Sequence, residues 1–273
     1  MQLSGSSAAN PKESRGDGND DHRIGRGEGR RREPARGAPF VYGLTNYVAA
    51  NLSANVLLAL GAGPAIGSAP GWTASFPAGA GAVWINGAAL MSSVTPKALV
   101  EAAATAHESG TPWVLDPVAI GAGAAEYDAI LGSLLEYRPS IIRGNASEIA
   151  ALAGGAGGSG VDSTLDSSEV IETVKDLAPR LDAVIAVSGE VDYLCDSSGR
   201  ATAVPGGDAR MPQVTGTGCS LGALSAAFCA VVDPFTAAVA AHASFAAAGE
   251  RAGERATGTG SFAVAFLDEL SNL

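Results

Sequence analysis

The chain has 273 residues, 47% of them hydrophobic, and a formal net charge of −11, which suits one large domain with a sizeable core. The charge is uneven: residues 1–36 hold eight Lys/Arg and six Asp/Glu, and the rest of the chain is net −13. An acidic body argues against nucleic acid as a partner, because phosphate backbones demand clustered Lys/Arg.

Residues 1–37 read as a polar, disordered tail whose one basic run, GRGEGRRREPARG, is interrupted by acidic residues. From residue 38 to 273 the pattern is that of a single globular domain. FVYGLTN predicts a strand with a polar end, and YVAANLSANVLLALGA a helix that stops at Gly61. GAVWING (81–87) predicts a short buried strand, and PKALVEAAATAHESG a helix with a glycine stop. PWVLDP (112–117) is a strand ending in Asp-Pro, YDAILGSLLEYR a helix, SIIRGN a strand and ASEIAALAG a helix. SSEVIETVKDLAPRL opens like a capping box, with Ser167 or Ser168 ahead of Glu169 and Glu172. AVIAVSG is an apolar strand, DYLCDSSGRATAV a hairpin closed by Ser-Ser-Gly, and three Ala-rich helices fill 217–271.

Short, continuous apolar strands that alternate with helices indicate an α/β fold with a mostly parallel sheet covered on both faces. Ligands of such sheets bind beyond the carboxyl ends of the strands. There the sequence places Asn46, Asn86, Asp116, Arg143-Gly144-Asn145, Ser188-Gly189-Glu190 and the loop at Gly216.

Three motifs carry chemistry. GTGC (216–219) puts small residues at a helix start, where backbone N–H groups and the helix dipole suit phosphate. The same field would favour a thiolate at Cys219, able to accept a proton from a substrate hydroxyl; an inert buried thiol in a tight helix start is the plain alternative. RGNASE (143–148) offers Arg143 to nucleotide phosphates and Glu148 to Mg²⁺, or else Asn145 and Glu148 simply cap the helix. Asp116 before Pro117 could share that cation or belong to a common turn.

Other features carry less. GAGGSG (155–160) matches a dinucleotide fingerprint but follows a helix, so it reads as a flexible loop; a GxxxxGK[ST] loop is absent from the sequence. His107 and His242 read as surface or core histidines, and Cys195 and Cys229 as structural or core thiols. Three cysteines without metal spacing suggest reduced thiols in a cytoplasm, and the N-terminus lacks the apolar segment of a signal peptide. Residues 37–96 hold no Asp, Glu, Lys or Arg, yet polar and turn residues interrupt every apolar run, so an oligomer interface is expected rather than a membrane span.

Taken together, TNYVAANLSANVLLALGAGPAI, PWVLDPVAIGA, IIRGNASEIAALAG, GVDS, VSGEVDYLCD, GGDARMPQVTGTGCSLGALSAAF and AGERA…GTGSFAVAFLDEL resemble the hydroxyethylthiazole kinases, in the right order across residues 40–273. The resemblance implies a ribokinase-like three-layer α/β/α fold and a homotrimer with sites between subunits. It also implies Mg²⁺-assisted transfer of the γ-phosphoryl of ATP to 4-methyl-5-(2-hydroxyethyl)thiazole, in thiamine salvage. It assigns Arg143, Ser188 and Gly218 to ATP, and Ile66, Gly216 and Asn46 to the acceptor. Asp116 and Glu148 fall in the metal's neighbourhood. Cys219 stands where related sugar kinases have a catalytic aspartate. Departures are Tyr42-Gly43 where the family usually has a histidine and a small polar residue or cysteine, Ile66 for a methionine, residues 67–82 without acidic side chains, and the basic tail. Other readings are a superfamily relative acting on another small alcohol or vitamin precursor, and a non-catalytic nucleotide-binding protein.

Overall fold

Strand β1 (Phe40–Leu44) runs into helix α1 (Tyr47–Ala59), whose first turn is capped by the Asn46 side chain accepting the Ala49 N–H at 2.8 Å. The computed structural model describes residues 38–92, 94–154 and 166–273; the tail, GAGGSG and GVDS expectations fall outside these. Next come β2 (Gly63–Ile66), α2 (Trp72–Gly79) and β3 (Ala82–Asn86). Neither β2 nor α2 is anticipated by sequence pattern. β2 is four residues long and contains Pro64, tolerated because β2 is an edge strand that pairs only with β1. α2 carries Pro77 in its interior and has Gly71 in the left-handed region at its cap, so the usual start and stop signals are lacking.

Helix α3 (Pro96–Ser109) matches its sequence signals: Thr95 caps it, Pro96 sits at its first position, and Gly110 ends it at φ 69°. β4 (Trp113–Asp116), α4 (Ala125–Ser133), β5 (Ile141–Asn145) and α5 (Ala146–Leu152) follow. The segment expected as one helix at 127–138 instead tightens into a 3₁₀ turn at Leu134–Tyr137.

Helix α6 (Ile171–Leu181) begins later than its capping-box pattern suggests. Residues 167–170 form a 3₁₀ turn, and the Ser167 hydroxyl donates to the Val191 carbonyl instead of capping the helix. β6 (Val184–Ser188), the hairpin β7 (Val191–Cys195) and β8 (Ala201–Pro205), then α7 (Thr217–Cys229), α8 (Pro234–Arg255) and α9 (Thr259–Ser271) complete the described chain.

The sheet order is β2-β1-β3-β4-β5-β6-β7-β8. β1 to β6 are parallel, and β7 and β8 are antiparallel additions. Alternate residues feed two cores. Tyr42, Ile85, Leu115 and Ile142 pack with α3 and α6 on one face. Val41, Trp84, Val114 and Ile141 pack with α7 and α8 on the other. Burial of both faces is why the strands show no polar alternation. A third apolar cluster joins Val56, Leu221, Phe245 and Phe262 across α1, α7, α8 and α9. The three-layer α/β/α expectation therefore holds.

Trp84 is fully buried between two glycines. A Cβ on Gly43 would lie 2.8 Å from its ring, and a Cβ on Gly222 would lie 2.5 Å from its Nε1. The small residue at 43 thus makes room for a large one at 84. Gly222→Ala should destabilise the fold by about 1–3 kcal/mol, the usual range for an overpacked core. Urea unfolding checks this: the midpoint falls while the slope stays the same, and an unchanged midpoint would show that Trp84 can move aside.

Candidate active site

The register of the sheet brings the strand-end residues to one edge. Asn86 at the end of β3 is level with Asp116 at the end of β4, and Asn145 of β5 is level with Ser188 of β6. The first turn of α7 joins this edge from the face where Trp84 lies, because α7 packs on β3 and β4.

Arg143 organises the edge. Its guanidinium is buried, with Nη1 donating to Asp116 Oδ1 at 3.2 Å and to the Gly218 carbonyl at 2.8 Å, and Nη2 donating to Ser188 Oγ at 2.8 Å. Asn86 Nδ2 donates to Asp116 Oδ2 at 2.8 Å, while its own Oδ1 accepts the Ala88 N–H. Thus Arg143, Ser188, Gly218 and Asp116, separate in sequence, form one hydrogen-bonded group. Asn86 belongs to it too. The sequence places Asn86 at the strand ends, but nothing in its spacing signals that it would hold Asp116.

Asn145 and Glu148 form a complete capping box on α5. Glu148 Oε2 accepts the Asn145 N–H at 2.8 Å, and Oε1 accepts the Ala119 N–H at 2.9 Å. Ala119 sits at φ 63°, a left-handed conformation uncommon outside glycine, and that twist belongs to the loop that ties β4 to Glu148. The capping role and the proximity to Asp116 are therefore both present: the Glu148 charge is one of the influences that raise the pKa of Asp116.

Beside this group, Gly216 caps α7 at φ 91°, and a Cβ there would lie 3.2 Å from Ala49 Cα. Asn46 bonds the Ala49 N–H, so Gly216 and Asn46 meet at the same residue. Ile66 ends β2 level with Gly43 and packs, like Cys219, against the Trp84 cluster.

The electrostatics differ from the expectation for Cys219. Burial and then the nearby Asp116 push the thiol up to about 12, outweighing the Asn86 side chain and Arg143, which favour thiolate. Burial likewise pushes Asp116 up to about 7, against the pull of Arg143 and Asn86. Arg143 stays a cation: burial opposes its charge, and Asp116 and Glu148 outweigh that cost. His242, read only as a core or surface histidine, is buried with Nδ1 2.6 Å from Asp192 Oδ2. Among the described residues no group of three or more His, Cys, Asp and Glu is placed to hold a metal, and no helix is long and apolar enough to cross a membrane.

Known proteins share both sequence and architecture. The pattern of the Hydroxyethylthiazole kinase family matches residues 33–273. A Burkholderia thailandensis protein named hydroxyethylthiazole kinase is 62% identical over 240 residues, 87% of this chain and 91% of its own length. A Leptospira borgpetersenii protein of the same name is 46% identical over 86% of this chain and 89% of its own. Among solved structures, the Pyrococcus horikoshii hydroxyethylthiazole kinase superposes with a TM-score of 0.74 at 34% identity, over 86% of this chain and 88% of its own. Bacillus subtilis pyridoxal kinase, solved as an ADP complex, superposes at 0.58 with 18% identity over 78% of this chain and 92% of its own, a likeness of fold.

The raised pKa of Asp116 has a sign that stability can report. With its folded value near 7 and its ordinary value at 3.8, the folded chain keeps a proton that the unfolded chain has lost in between. This contribution is fully present below the ordinary value and is lost as pH rises through 7. Asp116→Asn should therefore compare more favourably with wild type at pH 8 than at pH 5 in urea unfolding. Equal differences at both pH values would mean that Arg143 holds the carboxylate ionised throughout.

Proposed function

The chain belongs to the hydroxyethylthiazole kinase family, and from that premise we propose that it transfers the γ-phosphoryl group of ATP to the hydroxyl of 4-methyl-5-(2-hydroxyethyl)thiazole. The products are ADP and the thiazole phosphate, and the step serves thiamine salvage in the cytoplasm. One observation carries the reading: the glycine-rich start of α7 with Cys219 lies on the same sheet edge as the group formed by Arg143, Ser188 and Asp116.

In this reading Gly218 and Cys219 offer first-turn N–H groups, which lack partners within a helix, to the moving phosphoryl. Arg143 and Ser188 face the nucleotide's phosphates. Ile66, Gly216 and Asn46 line the acceptor end. The donors near Asp116 and Glu148 are oxygens, which suit Mg²⁺. All four carboxylate oxygens already accept hydrogen bonds, so the two side chains would hold the ion through water, with the nucleotide supplying direct ligands. When bound, Mg²⁺ offsets the charge on the phosphate oxygens.

Cys219 is the proposed acceptor of the alcohol's proton. Because its thiol is held near 12, only a small fraction is thiolate near neutrality. That is tolerable because a loose phosphoryl-transfer transition state asks more of positioning than of a strong base.

The founding test is ADP release from Mg·ATP with and without the thiazole, confirmed by the mass of the phosphorylated product; thiazole-independent release alone would defeat the proposal. For the base, kcat of the wild type should climb between pH 7 and 9, and Cys219→Ala should lose about 10²-fold. Cys219→Asp, whose carboxyl ionises far more readily than a thiol in the same surroundings, should keep or gain activity with a flatter profile. An alanine variant as fast as wild type would remove Cys219 from the mechanism.

We propose a homotrimer as well. Tyr47, Val48, Leu58 and Met91 are 72%, 64%, 59% and 58% exposed, and all lie in the uncharged stretch 37–96. Apolar exposure without nearby charge favours burial against another subunit. Sedimentation should give a trimer that Val48→Asp weakens, whereas a clean wild-type monomer would contradict the assembly.

A further inference from the structure

Tyr42 is fully buried in β1, on the face opposite Trp84. Its hydroxyl reaches past the strand end and donates to the Gly67 carbonyl at 2.8 Å. The Gly67 N–H donates to the Gly43 carbonyl at 3.0 Å, so the N–H and C=O of Gly67 are both bonded to β1. Gly67 itself sits at φ 140°, a glycine conformation, with the Trp72 ring close to where a Cβ would point. Trp72 stacks on Phe76 at 4.7 Å, and Phe76 meets the Tyr42 ring edge-on at 5.6 Å. Helix α2 is held in turn by Thr73, whose hydroxyl donates to Glu101 of α3. The residue just before Gly67 is Ile66.

We propose that Tyr42 is a positioning residue for the acceptor end of the site: by holding the Gly67 carbonyl it fixes how far the Ile66 side chain stands from the start of α7, and so sets the fit of the acceptor ring. This rests on the reading of Ile66 as part of the acceptor wall. The physical argument is one of leverage. β2 is a four-residue edge strand with hydrogen bonds on one side only, and its last residues would otherwise depend on that short ladder. A buried hydroxyl bonded across 25 residues of sequence supplies the missing constraint. Burial and Glu101 both push the phenol's pKa up, which keeps it a donor. The aromatic contacts hold the ring whether or not the hydroxyl is present, so Tyr42→Phe isolates the hydrogen bond.

The experiment is steady-state kinetics of the full-length Tyr42→Phe variant, with thiazole and ATP varied in turn. The KM for the thiazole should rise about five- to tenfold, the scale of one lost hydrogen bond, while kcat and the KM for ATP stay within about twofold. A double-mutant cycle with Ile66→Ala tests the route: if Tyr42 acts through Ile66, Tyr42→Phe should have much less effect when residue 66 is alanine. An unchanged thiazole KM, a parallel loss in ATP KM and kcat, or full additivity with Ile66→Ala would overturn the inference while leaving the kinase reading intact. A wild type that does not phosphorylate the thiazole would overturn both. Thermal melting of both single variants guards against a general loss of fold, and Ile66→Ala provides an independent measure of the same wall.

Discussion

The buried pair of Arg143 and Asp116 is the contact around which the site is arranged. Taking a guanidinium and a carboxylate out of water is costly unless their hydrogen-bonding capacity is met. Here most of it is met by groups from different elements: Asn86 of β3, Ser188 of β6 and the Gly218 carbonyl of α7. The cost of burial is thereby turned into a geometric demand. Four neighbouring strands and one helix must come into register for the pair to be satisfied, and that register is what forms the sheet edge. Among the described residues Arg143 Nε is buried without a partner, so the arrangement is not saturated.

Small residues make the second demand. Trp84 fills the space under the edge only because Gly43 and Gly222 leave it empty. Gly216 lets α7 begin against Ala49, which brings the glycine-rich helix start beside the Asn46 cap of α1. In both places a methyl group would separate parts of the site. The glycines therefore act through close approach of backbone and ring as much as through backbone freedom.

Cys219 shows how one position can hold opposing influences. A helix start and a nearby arginine favour negative charge; burial and Asp116 oppose it, and they prevail. Burial thus favours the protonated forms of both Cys219 and Asp116, and so limits the negative charge at this edge.

Much of this was legible in the sequence, because some signals are local. Apolar runs alternating with capped helices sufficed for a doubly covered, mostly parallel sheet. Thr95-Pro96 and Gly110 marked the ends of α3, Asn145 and Glu148 announced their own capping box, and GTGC announced a tight helix start. These depend on residues within a few positions of each other, so order along the chain is enough to read them. β2 and α2 were not legible, because a proline in an edge strand and a proline in a short helix are permitted only by what does or does not pack beside them. Nor could order along the chain foretell that Ser167 would bond Val191 rather than cap α6, that Asn86 would hold Asp116, or that Tyr42 would reach Gly67. The acidity of Cys219 belongs with these. The sequence placed the thiol in a field that favours its ionisation, and only the folded structure added the burial and the carboxylates that reverse it, because desolvation and charge coupling depend on distance through space.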